Sequence, residues 1–366
     1  MNIYASNHQG VFVSIFLRGG MDGLHALIPA SDPHYAALRP TLRQAAEEAA
    51  DLDGFFRLHN ALTPLQDLYR EGHLAMVHAC GAPMSSHSHF DAQDFLDNGT
   101  PGDKSTTDGW LARAIASSQP ASTVAGVAMG NKVVASMRHA DQSVVSVASL
   151  DNVGLLHPLP GIDQRINAMY ANDELLGPLA EATFTSIDLL QQVPVSGQSE
   201  AYPKSIFGQQ MSDLAHMLKA DIGIQAVALD IHGWDSHADE EAMLTERFND
   251  LASGLRAFFE DMGGLMRSTT VVVMSEFGRR AYENASGGTD HGTAGCVMVA
   301  GDGIRGGHVY SQWPGLSSSE LNHHGDLMPT TDYRDVISEL LAARHHYTDL
   351  HSVFPGFSAT NYLGLT

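Results

Sequence analysis

Short β-rich runs that alternate with longer amphipathic stretches constrain this chain of 366 residues more than any other feature. The runs VFVSIFL, LAMVHAC, STVAGVAM, QSVVSVASL, IQAVALDI, TTVVVM and GCVMVAG are apolar at most positions, as strands buried on both faces must be. Between several of them lie helical patterns at 60–71, 88–97, 109–118, 204–220 and 238–262. That alternation predicts an α/β fold with a mostly parallel central sheet and helices on both faces. A final pattern, TTDYRDVISELLAARHH, reads as one more helix with Thr330 or Thr331 as its cap. The chain is read as one domain over 1–366, with its least regular part, about 151–203, as a helical cap or insertion.

Charge narrows the partners. Lys and Arg number 20 against 42 Asp and Glu, a formal net charge of -22 with no basic tract, so phosphate backbones and anionic lipid surfaces are repelled. Nucleic acid and membrane insertion are therefore not expected. The acids suit cation binding, and most of them also serve solubility. The 20 histidines bear more directly on chemistry, because neutral imidazole is the commonest metal ligand. Both cysteines, Cys80 and Cys296, lie inside apolar runs, which excludes a disulfide framework and a cysteine zinc site. No apolar run reaches the length of a membrane span, and the opening MNIYASNHQG is too polar for a signal peptide. Oligomeric state is not encoded in any pattern here.

In open α/β sheets, ligands bind outside the carboxyl ends of the strands, where loops converge. The residues that follow each expected strand therefore matter most. After VFVSIFL comes RGGMDGLHAL with Asp22; after LAMVHAC comes GAPMSSHSHFDAQDF with Ser85, Ser86, Ser88 and His89 near a helix start. After IQAVALDI comes HGWDSHADEE with Asp235 and His237; after TTVVVM comes SEFGRRAYENASGGTDHGTAG with Glu276, Arg279, Asp290 and His291. Each has a plainer reading. Asp22 suits a turn, Ser88 an N-cap, and Asp235 with His237 a cap beside a surface histidine. Glu276, next to a buried strand, needs a partner that Arg279 would supply. Asp290 and His291 are either a carboxylate-imidazole pair behind a metal or a loop hydrogen bond. The pairs His323/His324 and His345/His346 read as surface or core residues without a role. Together Asp22, Asp235, His237, Glu276 and His291 make an oxygen and nitrogen ligand set suited to Zn, Mn or Fe.

The stretches FLRGGMDGLHALIP, SHFDAQDF, DGWLARAI, GWDSH, MSEFGRR, GTDHG, GGHVYSQWPGL, TTDYRDV and VFPGF, from 16 to 357, resemble the bacterial family called domain of unknown function 1501. That family is placed in the alkaline phosphatase and sulfatase superfamily. The resemblance implies an alkaline phosphatase-like three-layer sandwich, divalent metal ions such as Zn or Mn, and hydrolysis of phosphate or sulfate esters. By the same analogy Asp22, Asp235, His237 and His291 match metal ligands and Ser88 the nucleophile at a helix start. Arg279 would then grip the anionic group bidentately, with His89 or Asp290 serving proton transfer or orientation. Two positions depart from relatives: Glu276-Phe277 stands where the superfamily often has Asp-His, and His87 where this family commonly has Arg. Those departures support a rival, an exported metal-stabilised binding or structural protein without hydrolytic activity. A metal-dependent mutase or transferase shares the site but needs a phosphorylated resting enzyme. Export to the periplasm is implied by relatives, and a cytoplasmic location fits the polar start equally.

Overall fold

The computed structural model describes residues 10–83, 86–140, 143–154, 161–195 and 199–366. Among them β1 (Val11–Arg18) is the central strand, and its alternation sets up two cores. Val13, Ile15 and Leu17 face one side and Phe12 and Phe16 the other, because successive strand side chains point to opposite faces. Short strands β2 (Leu27–Ile28), β3 (Ala50–Asp51) and β4 (Arg57–Leu58) form a separate antiparallel sheet. The main sheet adds β5 (Leu74–Gly81), β6 (Gly126–Met129), β7 (Val144–Val147), β8 (Ala226–His232) and β9 (Thr269–Met274). It is completed by β10 (Gly295–Ala300), β11 (Val309–Tyr310) and β12 (Thr331–Asp332). The order is β11-β5-β10-β9-β1-β8-β6-β7, with β12 also paired to β5.

Every apolar run singled out above contributes a strand, and the pairs are parallel except those made by β10. The exception has a local cause. The glycine-rich loop from 275 to 294 holds no helix, so the chain turns back beside β9 instead of crossing over. The first residues of β10 therefore lie at the same edge as the last residues of β1, β8 and β9.

Helices cover both faces. Ile206–Lys219 and Glu240–Met262 place Phe207, Met211, Leu214, Phe248, Leu251 and Leu255 in the core beside Val13, Ile15 and Leu17. Trp110–Ser117 and Tyr333–His345 place Trp110, Leu111, Ile115, Val336, Ile337 and Leu340 against Phe12 and Phe16. The result is an α/β sandwich of three layers. One expected detail changes: the last helix is capped by Asp332, which accepts from the Arg334 amide at 2.9 Å, while Thr331 belongs to β12. An ionised carboxylate is the stronger acceptor for the first-turn amides.

Within 151–203 the described part holds the helices Ile162–Tyr170 and Leu176–Gln191. Ser186 donates to the Thr123 hydroxyl at 2.9 Å, ahead of β6, which ties this segment to the side of the sheet. Among the described residues no helix is long and apolar enough to cross a membrane. Phe248, fully buried on the long helix with its ring against His59 and Trp234, tests the packing. Phe248→Ala should lower the unfolding free energy by about 3–5 kcal/mol in a denaturant titration, because the emptied ring volume cannot close.

Candidate metal centre

Arg279 organises the strand ends. Its guanidinium is fully buried and donates to the carbonyls of Gly20 at 2.6 Å, Thr289 at 3.0 Å, Gly19 at 2.5 Å and Trp234 at 3.3 Å. It also donates to Asp235 Oδ1 at 2.6 Å. This corrects the expectation that Arg279 grips an anionic ligand, because its donors are taken by the protein itself. The approach is close enough to demand glycine. A Cβ on Gly19, where φ is +128°, would sit 2.6 Å from the Asp235 amide nitrogen, and one on Gly20 would strike the Phe277 ring.

Glu276 follows β9 directly and is buried. Its Oε1 accepts from the Gly19 amide at 2.9 Å, Gln93 Nε2 at 2.8 Å and His89 Nδ1 at 2.8 Å, and its Oε2 from Ser275 Oγ at 3.0 Å. Burial alone would raise its pKa. Those bonds, His89 first and then Gln93, outweigh burial and hold it below the usual value. Glu276 thus faces donors on all sides and holds the His89 ring by its Nδ1, outside the group of converging imidazoles and carboxylate in which it was expected.

His89 begins the helix His89–Asn98 and is the residue that sequence reasoning had assigned to proton transfer or orientation. With Nδ1–H donated to Glu276, its Nε2 is turned toward Asp235 Oδ2 at 3.5 Å and has no hydrogen-bond partner among the described residues. The bond to Glu276 raises its pKa, with burial acting in the opposite sense. His291 repeats the arrangement. Its Nδ1 lies 2.7 Å from the His87 carbonyl, which can only accept, so Nδ1 carries the proton and Nε2 presents its lone pair. That Nε2 is 3.2 Å from Asp235 Oδ1 and 3.0 Å from His237 Nε2. Burial lowers the His291 pKa, which favours the neutral ring.

The donor atoms of His89, Asp235 and His291 lie within 4.8 Å of one another. His237 joins from the same side, with Nε2 3.1 Å from Asp235 Oδ1 and Nδ1 3.2 Å from Asp290 Oδ1. Asp290 thereby orients His237, and the half-exposed Asp235 is the carboxylate on which the imidazoles converge. Burial acts to raise the Asp235 pKa, but its bond and charge pairing with Arg279 bring it down to about 2.

Asp22 does not join this group. It is fully buried, accepts from the amides of Leu24 and His25 at 2.9 and 3.3 Å, and pairs with the Arg39 guanidinium. Burial pushes its pKa up, and Arg39 reverses this to leave it well below the usual range. Its carboxylate is therefore a structural cap and ion pair. Ser88 is the N-cap of the helix His89–Asn98, exposed, with no capping bond from its hydroxyl. Ser85 lies outside the described residues. Gln93 was missed, although its place four residues after His89 in a helical pattern puts both on one face. The His87 carbonyl carried no sequence signal at all.

The chain matches the family described as Protein of unknown function (DUF1501) over residues 11–353, and it belongs to that family. No curated protein matches the sequence. Among solved structures it is similar to the PsFucS1 sulfatase from Pseudoalteromonas sp., at 12% identity and TM-score 0.42, covering 97% of this chain and 70% of that one. It is also similar to the C-terminal periplasmic domain of EcEptC from Escherichia coli, a complex with Zn, at 10% identity and TM-score 0.42, covering 97% and 89%. A protein of the alkaline phosphatase superfamily from Vibrio parahaemolyticus is similar at 9% identity and TM-score 0.36, covering 82% and 62%.

Asp22, Asp235 and Glu276 all have folded-state pKa values below their ordinary ones. Depressed carboxylates contribute stability that is present above their unfolded pKa and lost as pH falls through the folded one. The unfolding midpoint should therefore drop as pH goes from about 5 toward about 2, and Glu276→Gln should flatten that drop while lowering stability at neutral pH.

Proposed function

We propose that this protein is a metal-dependent hydrolase of phosphate or sulfate esters, with His89, Asp235, His237 and His291 holding a divalent cation and Ser88 as nucleophile. The observation that carries the reading is the tying of Nδ1 on both His89 and His291, to Glu276 and to the His87 carbonyl, so that both Nε2 atoms face Asp235. Metal-binding histidines are oriented in this way by a second acceptor, and imidazole with carboxylate suits Zn or Mn. The buried Nε2 of His89, without a hydrogen-bond partner among the described residues, favours a cation over a hydrogen-bonded cluster. When bound, such an ion supplies Lewis-acid polarisation of an ester oxygen.

The chain's own residues do the remaining work. Glu276 fixes the His89 ring, Arg279 the Asp235 carboxylate and Asp290 the His237 ring. Ser88 opens a helix whose dipole favours negative charge at its first turn. Its Oγ bonds to phosphorus or sulfur as the ester oxygen leaves with its electron pair, and the hydroxyl proton passes to solvent. Water then releases the acid. Periplasmic export, implied by the family resemblance, belongs to the same reading.

A second reading, a metal-stabilised binding or structural protein with the same fold, is favoured by Arg279, whose donors are turned inward. Elemental analysis followed by aryl phosphate, phosphodiester and aryl sulfate substrates separates the two. Bound Zn or Mn with turnover of one ester class supports the hydrolase; metal without turnover of any ester supports the second reading. Ser88→Ala should keep its metal and lose about 10³-fold or more in kcat. Full activity in that variant would remove Ser88 from the chemistry. Glu276→Gln should weaken metal binding by about 10–100-fold in a chelator competition, and unchanged affinity there would separate Glu276 from the centre.

A further inference from the structure

In a chain with 42 Asp and Glu, the stretch 109–140 contains none, while it carries Arg113, Lys132 and Arg138. The fold brings the middle of that stretch to the edge where the metal centre lies. β6 ends at Met129, which pairs in parallel with Leu229 of β8, so the loop 130–133 leaves the sheet beside the last residues of β8. Asn131, Lys132 and Val133 are exposed, and so are His232 and Gly233 on the neighbouring loop.

Arg247, on the helix Glu240–Met262, comes up against that second loop. Its guanidinium lies on Gly233: a Cβ there would sit 2.6 Å from Nη2, 2.8 Å from Cζ and 3.0 Å from Nη1, and the φ of +92° is itself one that favours glycine. Nε is buried without a partner among the described residues, whereas Nη2, also without one, does not share that burial. Nη1 reaches the His232 carbonyl at 3.4 Å, a long and weak bond. The Nη1–Nη2 end therefore has most of its donors left over.

The other arginines of this edge have acids. Arg18 is paired with Asp97 at 2.9 Å and Asp230 at 2.7 Å, Arg39 with Asp22, and Arg279 with Asp235, while Asp326 lies 4.0 Å from Arg280. Among the described residues no carboxylate oxygen is within 4.0 Å of the Arg247 guanidinium or of the Lys132 ammonium. The acids closest in the chain are engaged or turned away. Asp230 holds Arg18, and Asp250, three residues after Arg247, accepts from Ser205 Oγ at 2.7 Å. Glu246 is adjacent to Arg247 on the helix, where neighbouring side chains do not face each other.

We propose that Arg247, seated on Gly233, and Lys132 form an anion subsite between the ends of β6 and β8, which takes a second acidic group of the ester, a phosphate, sulfate or carboxylate, beside the one turned over at the metal centre. Gly233 stands two residues before Asp235 in one loop, so the subsite borders that centre along the chain. Its purpose rests on the hydrolase reading, but its affinity for an oxyanion does not. The end of a guanidinium presents two N–H donors to two oxygens of an anion, and an ammonium adds a point charge. Two cations without local acids make this part of the edge attractive to anions in a chain whose formal charge is -22.

The test is titration of sodium sulfate into metal-stripped, nitrogen-15-labelled protein against sodium chloride at equal ionic strength, following the backbone amide signals of Gly233 and Lys132. In the wild type sulfate should move both along a saturable curve that chloride does not reproduce. Arg247→Gln should weaken that binding about tenfold or more, and Lys132→Gln by a smaller factor, with zinc affinity in both within about twofold of the wild type. If Arg247→Gln melts well below the wild type, Arg247→Lys, which keeps the charge and loses the fork, carries the same comparison. Under the hydrolase reading, kcat/KM for an aryl ester bearing an added carboxylate should fall about tenfold in Arg247→Gln, while that for the plain aryl ester stays. No saturable shift in the wild type, or an unchanged one in the Arg247 variant, overturns the subsite and leaves the metal centre standing. A wild type that takes up no zinc overturns the metal reading instead, and the metal-free sulfate titration still decides the subsite.

Discussion

One buried guanidinium joins loops that are far apart in the chain. Arg279 binds the carbonyls of Gly19 and Gly20 after β1, of Trp234 after β8 and of Thr289 before β10, and then the Asp235 carboxylate. A cation without solvent is stable only when its donors are paired, so each of those carbonyls has to be where it is. The loops are thereby fixed against one another before any ligand arrives. Two glycines at the same place allow the backbones to approach where side chains would collide.

The carboxyl edge of the sheet is layered around that cation. Beneath it lie Asp22 with Arg39, and Glu240, whose Oε2 accepts from Thr289 Oγ1 at 2.6 Å. Burial, reinforced by the charge of Asp22, raises the Glu240 pKa well above its usual value. Above it, the imidazoles of His89, His237 and His291 meet the half-exposed Asp235. Glu276 and Arg279, which hold a ring and a carboxylate, are buried and hydrogen-bonded, while Asp235 and His237 are half-exposed. That separation is what a binding centre requires, because ligands must be held still and remain reachable.

Particular residues show how far the sequence could be read. Apolar runs such as TTVVVM and IQAVALDI marked strands because β-branched and aliphatic residues without alternation fit strands covered on both sides. Asp235, His237 and His291 were legible because each follows or precedes such a run at the ligand-binding edge. Asp22 and Glu276 carried the same sequence signal and have other tasks. A carboxylate looks identical in sequence whether its neighbour in space is Arg39, a set of amides or an open cavity. His89 and Gln93 were visible as one face of a helix, but their common partner Glu276 lies 187 and 183 residues away.

By itself the sequence determined the layered α/β architecture and the edge of the sheet where imidazoles and carboxylates gather. These depend on periodicity and residue type, which are local. The tertiary structure alone decided that β10 runs against its neighbours, that Arg279 faces inward, and that Glu276 orients a ring. Those outcomes depend on which polar groups meet once the backbone is packed, and a buried polar group takes its role from whichever partner satisfies it.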